Sequence, residues 1–326
     1  MVIKLASSLF FEPTYFDELD VILKLFIDNR YDLYIDDPDI TEKGWIEGVR
    51  PTSVKKEFIK EALIKSAQQN KVNITLEEKN DISNSIYSLK DGMIFLSNSA
   101  LVFMENANSD QKFIRGILQK FEKGKKAFTF YKNRWLEFRH CGGKTDITNQ
   151  INQELRKYRN EALSNLNYLK AIVICDSDRK YPNEELKLDD LISYCSENKI
   201  TLHILEKREI ENYLPLEILE DSDFIENNKL NALSALSPEQ QDYFDMESGF
   251  NINSQKKLHP FFEDIESENY KLLIKGFNCK EFKSKIEFPK MFLSDALTKK
   301  MLLEKCSHQK DPKELENIIN KINDLL

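Results

Sequence analysis

The chain lacks the cysteine patterns that define disulfide frameworks and zinc sites. Its five cysteines are widely scattered and form no CxxC pair, which favours a reducing compartment. No apolar run approaches the roughly 18 residues of a membrane span. The N-terminal stretch MVIKLASSLFFEPTYF has too short an apolar segment for a signal peptide. We therefore expect a soluble, cytoplasmic protein without a membrane partner.

An excess of positive charge is also absent, since the formal net charge is -8. This argues against a basic coat for nucleic acid, although it leaves room for a local basic groove. No repeat or low-complexity tract is present. What the chain does have is 326 residues, 41% hydrophobic and 31% charged, the composition of a folded protein with two or three domains.

Changes in hydrophobic periodicity divide the sequence into three regions. Residues 1–96 are predicted to be mainly helical, from helical spacing such as that of Leu19, Ile22 and Phe26. Residues 97–215 alternate short apolar runs with helical segments, and residues 216–326 return to helical patterns with polar connectors. The last helix is the clearest, with Asp311 predicted as N-cap, Pro312 at N1 and Glu314 at N3. Its apolar face is predicted to comprise Leu315, Ile318, Ile319, Ile322, Leu325 and Leu326.

The middle region follows a β-α-β-α-β-α-β order. Strands are predicted at residues 100–105, 134–141, 171–175 and 200–205, with helices at 110–121, 148–166 and 185–198. Strands joined by helices of this length are normally parallel with right-handed crossovers. The predicted fold class is therefore α/β, an open parallel sheet flanked by helices.

Two of these strands end in acidic residues. Glu105 follows LVFM, and Asp176 and Asp178 follow IVIC. Because the carboxyl ends of parallel strands meet at one edge, the three carboxylates are expected to converge there. Residues i and i+2 of an extended segment also point the same way. Oxygen ligands favour Mg²⁺ or Mn²⁺, so one or two such ions are the predicted cofactors.

Other interpretations of these acids remain open at this point. Acids at strand ends also cap the next helix or face water. A nucleotide-sugar transferase uses a strand-terminal DxD to hold Mn²⁺ on a diphosphate, which gives Glu105 no role. A catalytically silent interaction module would keep the acidic edge only as a metal or partner site.

The order of elements, with Glu after the first strand and DSD after the third, resembles the Toprim domain of topoisomerases, primases and OLD-type nucleases. VFMENANSDQKFIRGIL resembles the OLD-type opening. FRHCGGKTDI and LHILEKREIENYLP resemble the small Toprim nucleases of antiphage systems such as the PARIS type. The resemblance covers about residues 97–215, and extends weakly through GFNCKEFK (276–283) and the last helix. Asn106 stands where Toprim sequences commonly have glycine, and asparagine tolerates left-handed backbone geometry.

The resemblance implies roles for individual residues. Glu105 would be a metal ligand and a general acid or base, while Asp176 and Asp178 would hold Mg²⁺. Asp110 would orient Glu105 or bind metal through water, with N-capping of the following helix as the alternative. Glu211, or less strongly Glu209, would complete a second metal site. Five basic residues are candidates to bind the phosphates of the substrate: Lys144, Arg179, Lys180, Lys280 and Lys283. The alternative for each of them is a solvated side chain without a functional role.

The function implied is a metal-dependent endonuclease that cuts DNA or RNA as an effector of antiphage defence and abortive infection. The chain has no ATPase motif, because Phe138 stands where the first glycine of a phosphate-binding loop would precede GKT. Control would therefore come from a separate partner, for which the resemblance suggests an ABC-type ATPase. A homodimer is compatible with the helical flanks.

Overall fold

The computed structural model of the chain describes residues 1–41, 43–48, 53–68, 71–222, 224–250, 258–280 and 282–326. These residues form two compact units. The first comprises Met1–Ala100, Gln153–Lys170 and Leu326, and the second comprises Leu101–Asn152 and Ala171–Leu325. Within these described ranges, no helix is both long enough and apolar enough to cross a membrane.

The first unit contains a four-stranded sheet that the sequence analysis did not predict. Its strands are β1 (Val2–Leu5), β2 (Asp32–Tyr34), β3 (Ile74–Glu77) and β4 (Ile86–Ser88), in the order β2-β1-β3-β4. All three neighbouring pairs are parallel. These strands of three or four residues are too short to show a period of two, and they lie outside the β-α alternation by which the short strand at 200–205 was predicted. The prediction of a mainly helical region 1–96 omitted this sheet for that reason.

Helices of the first unit have the amphipathic faces that the sequence indicates. They are α1 (Phe16–Ile27), α2 (Trp45–Gly48), α3 (Ser53–Ser66) and α4 (Leu89–Ser97). Leu19, Ile22 and Phe26 of α1 are buried against Ile3 and Leu5 of the central strand β1 in one apolar cluster. This burial, rather than helix propensity, stabilises α1.

Lys170 is a buried lysine within the first unit. Its side chain is 4% exposed, and its Nζ donates to the hydroxyl of Tyr31 at 2.8 Å. That hydroxyl in turn donates to the carbonyl of Leu96 at 2.9 Å. Burial, followed by the repulsion of Arg30, holds the pKa of Lys170 well below its usual value of 10.5.

We expect Lys170→Met to raise the free energy of unfolding by about 2 kcal/mol, because an apolar side chain of similar length replaces a desolvated amine. Between its lowered folded pKa and 10.5, only the unfolded chain holds the proton. The stability of the wild type therefore falls as pH falls through this window. The stability gained by Lys170→Met, measured by urea unfolding, should therefore increase as the pH is lowered. The control Lys24→Met, at an exposed position, should leave the free energy of unfolding unchanged. A gain independent of pH would contradict this assignment.

The second unit is built on a sheet in the order β6-β5-β7-β8. The strands are β5 (Ala100–Met104), β6 (Leu136–His140), β7 (Ala171–Cys175) and β8 (Thr201–Ile204), each within its predicted range. The pairs β5·β7 and β7·β8 are parallel, with Met104 opposite Ile174. Every residue of β5 and β7 is buried, as expected for central strands covered on both faces.

Helices α5 (Ala107–Lys120), α6 (Lys125–Lys132), α7 (Ile147–Leu155) and α8 (Asp189–Glu197) accompany this sheet. The helix predicted for residues 148–166 ends eleven residues early. A 3-10 turn at Arg156–Tyr158 follows α7, and a second 3-10 turn, Asn165–Tyr168, precedes β7.

The remaining helices of the second unit are short and follow β8. They are α9 (Leu216–Glu220), α10 (Asn227–Ser234), α11 (Pro238–Tyr243), α12 (Ser267–Leu273), α13 (Ser284–Met291), α14 (Lys299–Cys306) and α15 (Glu314–Asn323). The stripe predicted for the last helix, Leu315, Ile318, Ile319 and Ile322, is buried. The prediction of Asp311 as N-cap is wrong, because the cap is Lys313 and α15 begins at Glu314. Asp311 instead accepts hydrogen bonds from the Lys313 amide and the Asn317 side chain.

Close packing of α13 against α5 brings the C-terminal helices to the sheet. The rings of Phe113 and Phe292 lie 5.0 Å apart at a steep angle. A Cβ added at Gly116 would meet the carbonyl oxygen of Phe292 at 2.5 Å. Only glycine permits this approach, which fixes α13 beside the helix that starts after Glu105.

Candidate functional site

The acids predicted from the sequence gather at the carboxyl ends of β5 and β7. Glu105 directly follows β5 and Asp176 directly follows β7, and these two strands are parallel neighbours. Lys144 lies between the two strand ends. Its Nζ forms an ion pair with Asp178 and lies 3.9 Å from Oε2 of Glu105. The geometry thus places Glu105 and Asp178 around a single positive charge.

The turn that carries Asp176 and Asp178 is anchored on the loop after β8. The buried Ser177 hydroxyl donates to the carbonyl of Lys207 at 2.8 Å, and the amide of Asp178 donates to the carbonyl of Arg208 at 3.0 Å. Asp178 has a φ of 55°, so the segment is no longer extended there. The i, i+2 argument therefore fails for this pair, because Asp178 is exposed and meets Lys144, whereas Asp176 faces a group of three other acids.

That group consists of Asp110, Glu209 and Glu211. Burial raises the pKa of Asp176 well above its usual range, and repulsion from these three acids adds to the shift. Burial likewise raises the pKa of Glu211 to about 8 and that of Asp110 to about 6. Carboxyl groups held together out of water resist ionisation unless a cation joins them. The site is therefore short of positive charge.

Asn106 and Asp110 shape the turn after Glu105. The amide of Asn106 donates to Oδ2 of Asp110 at 2.8 Å, and the Asn106 side chain accepts from the amide of Asn108. Asn106, with a φ of -129°, is the cap of α5. Two expectations are thereby corrected, because Asn106 is not left-handed and Asp110 is not the N-cap. Asp110 instead accepts a hydrogen bond from the main chain of Asn106, the residue after Glu105.

Glu209 and Glu211 come from the 3-10 turn Ile210–Tyr213 and its cap. Glu211 is 7% exposed. Glu209 forms an ion pair with Arg208 at 3.0 Å, and Arg208 also contacts Asp245 at 2.6 Å. Burial raises the pKa of Glu209 despite this partner. Both predicted residues thus belong to the acidic group around Asp176.

The basic residues near the acids differ in part from those predicted. Lys144 is among them, but Lys285 was missed. Lys285, in α13, pairs with Glu247 at 2.9 Å, and its charge also acts on Glu105, Glu209 and Glu211. Arg179 donates through Nε to the carbonyl of Glu184 at 3.1 Å. Lys180, Lys280 and Lys283 are exposed, and no contact ties them to the acids in the described parts of the chain.

The donor set suits a hard divalent ion. Across the described residues, no three His, Cys, Asp or Glu side chains converge tightly enough to hold a metal as they stand. Oε2 of Glu105, however, is a buried carboxylate oxygen for which no described residue provides a hydrogen bond. Together with the desolvated Asp176 and Glu211, it forms an oxygen-only set, which is the chemistry of Mg²⁺ and Mn²⁺ sites.

The arrangement of the acids and of Lys144 is what indicates the chemistry of this chain. Strand order, acid placement and the position of Lys144 are properties of its own fold. Comparison of the chain with protein-family models, with curated proteins and with solved structures finds no match.

Proposed function

We propose that the second unit is a Toprim-type endonuclease that hydrolyses phosphodiester bonds in DNA or RNA with Mg²⁺ or Mn²⁺. One observation carries the proposal: Glu105 and Asp178, from the ends of two neighbouring buried strands, share one lysine beside a group of desolvated acids around Asp176. A site so short of positive charge is suited to bind divalent ions.

The roles of the chain's own groups follow from their positions. A bound divalent ion would supply Lewis acidity toward the attacking water and the leaving oxygen. Asp176, Asp178 and Glu211 would hold the ions. Oε2 of Glu105, buried and without a hydrogen bond from a described residue, is placed to bind an ion or accept a proton. The ammonium of Lys144, released from Asp178, would meet a phosphate oxygen.

The transferase interpretation gives Glu105 no role, whereas the nuclease proposal uses the contact of Lys144 with both Glu105 and Asp178. A biological role as an antiphage effector, activated by an ABC-type ATPase partner, belongs to the same proposal. It is supported by the sequence resemblance and by the missing phosphate-binding loop in this chain.

The test is a cleavage assay on DNA and RNA with Mg²⁺, Mn²⁺ or EDTA, alone and with the candidate ATPase and ATP. We expect Glu105→Gln to lower the cleavage rate at least about a hundredfold, because the base or ligand is lost. Exposed Glu197→Gln in α8 is the matched control and should cut as the wild type does.

Expression toxicity of the same variants checks the result in cells. Equal toxicity of wild type and Glu105→Gln, with intact DNA and RNA in both, would overturn the nuclease proposal. Binding of a sugar nucleotide that survives Glu105→Gln would favour the transferase. Metal binding without turnover under every condition would favour a silent interaction module.

A further inference from the structure

A strongly basic segment interrupts this acidic chain. Residues 120–134, KFEKGKKAFTFYKNR, contain six basic residues and one acidic residue, a net charge of +5 in a chain of net charge -8. The segment spans the end of α5, all of α6 and the turn before β6. Such a local excess of positive charge is complementary to a polyanion.

Beside this segment the second unit has a groove of about 640 Å³. We call it the basic–aromatic groove, and it is lined by Gln111, Tyr131, Lys132, Arg134, Leu136 and Phe138. Glu137 also borders it, but its carboxylate is paired with Arg139 at 3.0 Å. The volume lies in the range of ligand sites in proteins.

Half-buried aromatic rings line the groove. The rings of Tyr131 and Phe138 lie 5.4 Å apart, and Phe128 stacks near Tyr131 at 6.3 Å. The guanidinium of Arg115 lies 5.3 Å from the Tyr131 ring, and the ammonium of Lys132 lies 4.7 Å from the Phe128 ring. Cations next to half-buried aromatic rings are the chemistry that binds unpaired bases and their phosphates.

The groove and the acidic site are built on shared elements of the second unit. Gln111, on its wall, is the residue after Asp110 in α5. Strand β6, which contributes Leu136 and Phe138, ends at His140, and the next amide, that of Cys141, donates to the carbonyl of Met104 at 3.1 Å. Met104 precedes Glu105. The groove and the acids therefore border the same helix, α5, and the same pair of neighbouring strands, β5 and β6.

We propose that the basic–aromatic groove binds single-stranded nucleic acid, with bases stacked on Tyr131 and Phe138 and phosphates on Lys132 and Arg134. This proposal rests on the proposed nuclease function and adds where the substrate strand binds. The binding itself requires no metal and no catalysis.

The test measures anisotropy of labelled single-stranded DNA and RNA in EDTA, so that a failed nuclease proposal and a failed groove proposal can be told apart. Tyr131→Leu/Phe138→Leu keeps apolar bulk and removes stacking. We expect affinity to fall about tenfold with an unchanged salt slope. Circular dichroism confirms folding, and the corresponding single substitutions replace any double variant that does not fold.

Lys132→Gln/Arg134→Asn removes two positive charges, with asparagine chosen because Arg134 has a φ of 61°. The slope of log affinity against log salt should fall by about 1.4, roughly 0.7 for each phosphate contact. Lys300→Gln/Lys310→Gln makes the same charge change at exposed positions of the same unit and should bind as the wild type does.

Three results would each overturn the proposal. The first is an equal loss of affinity in the groove variant Lys132→Gln/Arg134→Asn and in the control variant Lys300→Gln/Lys310→Gln, which would mean that the strand is attracted by the overall charge and not by the groove. The second is full affinity in the leucine variant, and the third is duplex bound as tightly as single strands. Binding of an acidic polypeptide without nucleic-acid binding would assign the groove to a protein partner instead.

Discussion

Asp176→Asn should abolish divalent-ion-dependent cleavage and at the same time raise the melting temperature of the metal-free protein. Asp176 follows β7 and faces Asp110, Glu209 and Glu211, whose repulsion adds to the effect of burial on its pKa. An amide of the same shape cannot ionise, so folding no longer has to move an ionisable carboxyl group out of water and into this group of acids. Without metal, we expect a gain of about 1–2 kcal/mol in the free energy of unfolding, the usual size of a relieved buried charge.

Divalent ions should stabilise the wild type far more than the Asp176→Asn variant. Mg²⁺ or Mn²⁺ is expected to raise the melting temperature of the wild type, because ligands that bind only the folded state stabilise it. Asp176→Asn should lose most of this increase. Exposed Asp190→Asn in α8 provides the control. A variant that is less stable than the wild type in EDTA, yet still stabilised by Mg²⁺, would exclude Asp176 from the metal site.

The second large effect is expected at the buried ion pair of Lys207 and Asp242. Lys207 is fully buried, and its Nζ contacts the Asp242 carboxylate and the carbonyl of Lys305. Asp242 also binds Nε2 of His308 at 2.8 Å. Asp242→Ala in α11 should lower the free energy of unfolding by about 3–5 kcal/mol, since the ammonium keeps its burial and loses its counter-charge.

Chemical denaturation measures this loss, with exposed Asp295→Ala as the control. The double variant Lys207→Met/Asp242→Leu should recover most of the lost stability, because both charges are gone and the volume is filled. A double variant as unstable as Asp242→Ala would show that the pair is not the source of the loss. The Asp242–His308 contact would then be the next element to replace.

The sequence predicted the central strands of the second unit well because β5 and β7 are continuous apolar runs bounded by polar residues. Glu105 and Asp176 follow from those strand ends by geometry alone. The strands of the first unit are three or four residues long, and no β-α alternation marks them; β8 is equally short, but it completes the alternation of the middle region. Helix α7 ends early, although the pattern around residue 158 remains compatible with a helix.

Other features of the site depend on contacts distant in sequence. Lys285 acts on Glu105 from α13, which reaches the site only because α13 packs on α5 through Gly116. No local pattern distinguishes Lys285 from the predicted Lys280 and Lys283. The φ of 55° at Asp178 likewise arises from the anchoring of its turn and not from the DSD sequence.

The anchoring of that turn also links the acids to the C-terminal helices mechanically. The amide of Asp178 donates to the carbonyl of Arg208, and the amide of Arg208 donates to the carbonyl of Asp242 in α11 at 2.9 Å. Two main-chain hydrogen bonds, through the one residue Arg208, therefore connect α11 with the turn that carries Asp178. Under the proposed function, a partner that docks on α11 and displaces it would move Asp178 relative to the other carboxylates, and would so change the cleavage rate without entering the site.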